Sequence, residues 1–214
     1  MDFNTLLENV ISQPELHAKW LNSLSMMENC GARKISASEH SQNVDLIVLK
    51  HAAEEARHAY YLKSQIRKTD FDGCKTYHPS ELLAPIESYQ YLHRLDTSVS
   101  RYLKETCGFK GYQLKYASYL LVTYAIEVRA DELYPVYEEV LKKHGGKISV
   151  RMIIVEEEGH LEEMINQMNE FFGNWKAHGT YVLQLEKVLF EEWKKSLAGE
   201  VEKYYSNLQE NTLV

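Results

Sequence analysis

Twice in 214 residues the chain reads Glu-Glu-x-x-His, as Glu54-Glu55-Ala56-Arg57-His58 and as Glu156-Glu157-Glu158-Gly159-His160. A glutamate and a histidine three positions apart share a face only on a helix, so each motif demands a helix and offers an oxygen and a nitrogen on one side of it. A single ExxH says little. With nine His in the chain about one is expected by chance, whereas requiring the preceding acid lowers the expectation to roughly 0.1 for one copy.

The surroundings are apolar. Ile153, Ile154 and Met164 flank Glu157, Leu24 and Met27 flank a further acid at Glu28, and Tyr124 and Ile126 flank another at Glu127. These three acids, together with Glu55 of the first motif, therefore face inward. Unpartnered carboxylates in a core lose their hydration and repel one another, so the pattern requires bound protons or cations.

The rest of the chain supplies helices to carry them. Only four Pro and ten Gly interrupt it, which excludes a fold of many short strands. Ser12, Pro14 and Glu15 read as a capping-box start for a helix running to about Lys34. Val44, Ile47, Leu49, Ala52, Ala56, Tyr60 and Leu62 repeat at helical spacing to about Lys68. A turn-rich stretch follows, then a helical piece from Leu82 to Leu103, then a helix from Tyr112 that is expected to stop or bend at Pro135. Gly145 and Gly146 mark the next turn, and a helix spans Ile148 to Phe172. The last helix, around Val182 to Val201, is amphipathic and must be covered by the bundle or by a second copy in a homodimer.

Two helical pairs joined by a link of about 40 residues predict one all-α domain over 1–214, a four-helix bundle with one long crossover plus extra helices. Glu28 precedes Glu55 by 27 residues and Glu127 precedes Glu157 by 30. An antiparallel hairpin turning near His40 brings the first pair level. A straight helix would leave the second pair about 9 Å out of register, so a break at Pro135 is expected to absorb the difference.

Glu28, Glu55, His58, Glu127, Glu157 and His160 together resemble the site of the ferritin-like di-iron carboxylate superfamily, which takes one Glu from each of two helices and Glu-x-x-His from each of the other two. The resemblance covers the four helices, not residues 70 to 110 or the last helix. It implies a ferritin-like fold and two iron ions, with manganese or a mixed Fe/Mn pair as alternatives. Glu28 and Glu127 would be terminal ligands, Glu55 and Glu157 bridges, and His58 and His160 a cap on each ion. It also implies that Glu156 accepts from His58 and Glu54 from His160, fixing the rings. Tyr124 and Asp131, one turn either side of Glu127, are read as a second layer or as a packed ring and an exposed acid. His51, one turn before Glu55, either lines the pocket or is structural.

By the same resemblance the chain is expected to be a non-haem di-iron oxidoreductase, using dioxygen or peroxide and an electron-donor protein to act as an oxidase, oxygenase or hydroxylase on a small apolar substrate. A ferroxidase or iron-storage protein, a manganese catalase-like enzyme and a non-catalytic helical metal-binding module are the alternatives. The net charge of -7 argues against a nucleic-acid partner. The absence of a long apolar run argues against a membrane span, and the amino end carries no leader pattern, so the expected location is cytoplasmic. Cys30, Cys74 and Cys107 contain no CxxC and read as unpaired thiols.

Overall fold

Each long patterned stretch becomes one helix, started or stopped by the residues nearest its ends. A computed structural model describes residues 1–212 and holds α1 (Phe3–Ile11), α2 (Pro14–Ser38), α3 (Leu46–Gln65), α4 (Pro85–Cys107), α5 (Gly111–Lys143), α6 (Arg151–Phe171) and α7 (Trp175–Thr212), with no strand among the described residues. Asp45 starts α3 by accepting from the N–H groups of Ile47 and Val48. Gly108, at φ +69°, closes α4 in the left-handed conformation that costs glycine least.

Three expectations need correction. A separate α1 precedes the expected first helix: Asp2 caps it, and Leu6, Leu7 and Val10 are its buried stripe. Ser12 is consequently not a capping residue for α2, whose N-cap is Gln13 with no side-chain bond. Instead the Ser12 hydroxyl donates to the Asn9 carbonyl. Pro135 does not break its helix either. It sits exposed inside a continuous α5, giving up one backbone bond on the solvent side without ending the helix.

Four helices close a ring, in which α2 packs on α3, α3 on α6, α6 on α5 and α5 on α2. Neighbours run antiparallel. Across α3 and α6, Glu54 pairs with His160, His58 with Glu156 and His51 with Glu163, so one helix is climbed as the other is descended. Across α2 and α3, the Ser25 hydroxyl donates to the Ala59 carbonyl at 2.6 Å and Lys63 donates to Asn22. Residues 66–110, including α4, make the crossover from α3 to α5.

The register between Glu127 and Glu157 is restored by the link, not by a kink. Residues 144–150 fold back along α5, burying Ile148 and Val150. The Val150 N–H donates to Glu138 at 2.7 Å, and Tyr61 of α3 donates to the Ser149 carbonyl at 2.7 Å. Helix α6 thus begins alongside Glu138, about 8 Å back from the end of α5, the distance spanned by five residues of helical rise.

Helices α1, α4 and α7 cover the α2 and α5 side of the ring. The last helix is therefore covered within the chain. Trp20 of α2 stacks on Trp193 of α7 with centroids 5.5 Å apart. Arg129 of α5 grips Glu186 of α7 through two bonds of 2.7 Å and lies over Phe190, and Tyr91 of α4 donates to the same carboxylate. One buried carboxylate with two partners on two helices fixes three elements at once. The three cysteines are free, and no helix among the described residues is long and apolar enough to cross a membrane.

Candidate metal centre

The four ring helices converge on one buried polar cluster. Glu127, Glu157, His58 and His160 are each at most 2 % exposed, Glu55 is 5 % exposed, and Glu28 lies half-buried beside them. Glu55, Glu127, Glu157 and His160 bring ligand atoms within 4.8 Å of one another, and Glu28, Glu55 and His58 form a second such group. Glu55 belongs to both. Glu157 also reaches both rings, at 3.0 Å from His160 Nδ1 and 3.1 Å from His58 Nδ1. Glu127 stands 3.5 Å from His160 Nδ1. All six motif residues are thus gathered around two adjacent positions.

The outer nitrogens fix the rings. His58 Nε2 bonds Glu156 at 2.7 Å, and His160 Nε2 bonds Glu54 at 2.6 Å, which turns each Nδ1 toward the cluster. Arg57 binds Glu156 at 2.8 Å and stands 3.6 Å from Glu54, tying the two outer acids together. The pattern of i, i+3 and i, i+4 residues on facing antiparallel helices produces this lattice directly.

The electrostatics are those of a cluster whose buried charge a cation could neutralise. Burial, then Glu28 and Glu157, push the Glu55 carboxyl well above its ordinary range. Burial and Glu157 do the same to Glu127. Burial also works against ionisation of Glu157, but hydrogen bonds from Glu127, His160 and His58 outweigh it and hold that carboxyl well below its usual range. Burial lowers the histidines, yet the bond to Glu157 wins at both, and His58 and His160 are raised. Protons thus occupy places that cations would take. Two buried polar atoms of the cluster, His58 Nδ1 and Glu127 Oε2, lack a well-aligned hydrogen bond among the described residues, although Glu157 stands 3.1 Å from the former. A metal ion is the partner that satisfies an imidazole nitrogen and a carboxylate oxygen together. The residues fit.

Compared with known proteins, the chain matches no family model, no curated protein and no solved structure. The functional reading therefore rests on this geometry.

Two neighbours, Tyr134 and Gly31, were not legible beforehand, whereas His51, Tyr124 and Asp131 were. Tyr134 donates its hydroxyl to Glu28, and burial together with Glu28 raises the phenol well above its ordinary value. Gly31 lies against Glu55, where an added Cβ would stand 3.2 Å from Oε2. His51 bonds the Tyr119 hydroxyl through Nδ1 and Glu163 through Nε2, both at 2.9 Å, with its ring centroid 4.7 Å from that of His160. Its i, i+4 offset from Glu55 was the only sequence signal. Tyr124 packs edge-to-face on Trp175 of α7, and Asp131 is half-buried near Glu157, which with burial raises its carboxyl.

A cavity of about 320 Å³ opens beside the acids, between α2, α4, α5 and α7. Glu28, Glu55 and Glu127 form part of its wall, and Leu24, Val122, Ile126 and Leu133 give the rest an apolar character.

Proposed function

We propose that this chain is a ferritin-like di-metal oxidoreductase, holding two iron ions and using dioxygen on a small apolar substrate. The observation that carries the reading is the pair of donor groups sharing Glu55, set in the wall of an apolar cavity. Supporting it, the two antiparallel pairs α2–α3 and α5–α6 are joined by a crossover that leaves α3 and α5 running the same way, as in one-crossover bundles. Glu28 and His58 would hold one ion, Glu127 and His160 the other, with Glu55 and Glu157 between them. Mixed carboxylate and imidazole donors suit iron and manganese. Iron bound there would supply the electrons that activate dioxygen.

The chain's own residues supply the rest. Glu54 and Glu156 orient the rings, and Arg57 holds those two acids in place. Tyr134 keeps Glu28 on a hydrogen bond, giving that half-buried acid a defined direction. The apolar wall excludes water and leaves room for an organic substrate, which favours chemistry on a molecule in the cavity over storage of iron itself.

The test is to load the protein with ferrous iron under anaerobic conditions, admit oxygen, and follow oxygen uptake, absorption and particle size. Oxygen uptake linked to a new absorption band, in a particle of one or a few chains, is the expected result. Iron that binds without reacting with oxygen would make the site structural. A large shell accumulating many irons per chain would make iron the substrate.

A further inference from the structure

The cavity has a shape and a charged end that narrow the class of molecule it takes. Along α5 its wall runs from Leu114 and Lys115 past Val122 and Ile126 to Glu127, and on to Tyr134. Lys115 and Glu127 are twelve residues apart on one helix, about 18 Å by helical rise, so the space is elongated. Its interior hydroxyls are largely spent on each other or on neighbours: Ser100 bonds Ser118 at 2.9 Å, and Ser38 donates to the Ile35 carbonyl at 2.6 Å. A ligand lying between the two ends meets mainly hydrocarbon.

The end away from the acids is cationic, in a chain whose net charge is -7. Lys115 lines it, with its amino group donating, among the described residues, only to the Ala37 carbonyl at 3.4 Å. Arg33 lines an adjoining hollow that shares Lys34, Ala37 and Leu92 with the cavity. Its guanidinium bonds the Asn29 carbonyl and Cys30 Sγ, with no carboxylate partner among the described residues. Asp96 is the one acid lining this end, and it is already paired with Lys34 at 2.7 Å. Arg33, held back beside residues 29 and 30, stands outside the cavity, so the exposed Lys115 ammonium, without a carboxylate partner among the described residues, is the group at that end that complements an anionic head on a hydrocarbon chain.

We propose that the cavity binds a single-chain anionic amphiphile, with an alkyl carboxylate as the probe class, its head at Lys115. Its chain then runs along α5, so the carbons that pass Glu55 and Glu127 are those remote from the head. The orientation deepens the proposed function and rests on it. The binding itself depends only on the cavity.

Two measurements on the full-length protein test this. The first is calorimetric titration of the metal-free protein with straight-chain alkyl carboxylates of increasing length, alongside alkyl sulfates, alkylamines and alkanols. Carboxylate affinity should tighten about fourfold per added methylene until the cavity is full. Lys115→Glu should weaken it about fivefold. Lys115 is exposed, so the fold should survive. Val122→Phe, which narrows the channel, should abolish the chain-length dependence. Equal binding of sulfates supports the proposal, because the recognised feature is the anionic head. Equal binding of amines or alkanols, absence of binding, or indifference to the charge reversal overturns it.

The second measurement loads the protein with Mn²⁺ and reads the paramagnetic broadening of a ¹³C-labelled carboxylate. Distal carbons should broaden more than the carboxyl carbon, and the reverse order overturns the orientation. A metal titration on the same sample separates the two readings. If Mn²⁺ fails to bind while the amphiphile binds, the metal centre fails and the cavity assignment stands.

Discussion

Adding a divalent metal to the metal-free protein should expel protons, and the structure says from which groups. Glu55 and Glu127 each retain a proton to well above the ordinary value of 4.5, through burial and their acidic neighbours. His58 and His160 are raised above 6.5 because the bond to Glu157 outweighs burial. Filling both positions displaces a proton from each acid at any pH where these remain protonated, and one more from each histidine once the pH is low enough to charge the rings. Release should therefore be largest in mildly acid solution, where Glu55, Glu127, His58 and His160 can all contribute, and should shrink as the pH rises through their raised ranges. Each released proton weakens apparent affinity about tenfold per pH unit lost, about 1.4 kcal/mol.

Stability follows the same sign. A group whose folded pKa is raised contributes fully below its unfolded value and loses that contribution as pH rises through the folded value, so Glu55 and Glu127 destabilise the metal-free protein from about pH 4.5 upward and the histidines add to this above about pH 6.5. Glu157 is depressed and acts oppositely, losing its contribution only as pH falls below about 4.5. The metal-free melting temperature should therefore drop between about pH 5 and about pH 8, and metal should raise it most at the alkaline end. Zinc titration in weak buffer with a pH indicator, repeated at several pH values, measures the release. Metal binding with no proton release and a pH-independent affinity would refute the reasoning.

Substitutions near the centre separate binding from folding. Gly31→Ala places a methyl 3.2 Å from Glu55 Oε2, so metal affinity should fall, while a denaturant midpoint that holds or rises would reflect a gain of up to about 1 kcal/mol in helix propensity. Glu156→Gln should lower metal affinity about 10- to 100-fold, since the ring of His58 loses its charged acceptor; calorimetry with Mn²⁺ reads this, and an unchanged constant would make that bond incidental. Leu21→Ala, at a fully buried position of α2, should cost about 2–5 kcal/mol in urea unfolding with no change in metal number.

How much was legible follows from how local each signal is. The doubled Glu-Glu-x-x-His is written within five residues, and helical geometry alone turns it into facing Glu–His bonds between α3 and α6. Glu28 and Glu127 were reached by counting residues from turns, which succeeded for the α2–α3 hairpin because its link is short. Counting misjudged the second hairpin, where residues 144–150 run back along α5 on bonds to Glu138 and Tyr61. That path depends on tertiary partners that no periodicity records. Tyr134 and Gly31 escaped for the same reason, since both matter only through a residue on another helix. The first helix was a different kind of miss: Leu6, Leu7 and Val10 after Asp2 are a local helical signal, overshadowed by Pro14 just beyond.

The most direct test of the account is the metal count. Anaerobic titration with ferrous iron, followed by elemental analysis after desalting, should give about two irons per chain, falling in Glu55→Ala and His160→Ala. A count well below two that both variants leave unchanged would contradict the existence of the centre.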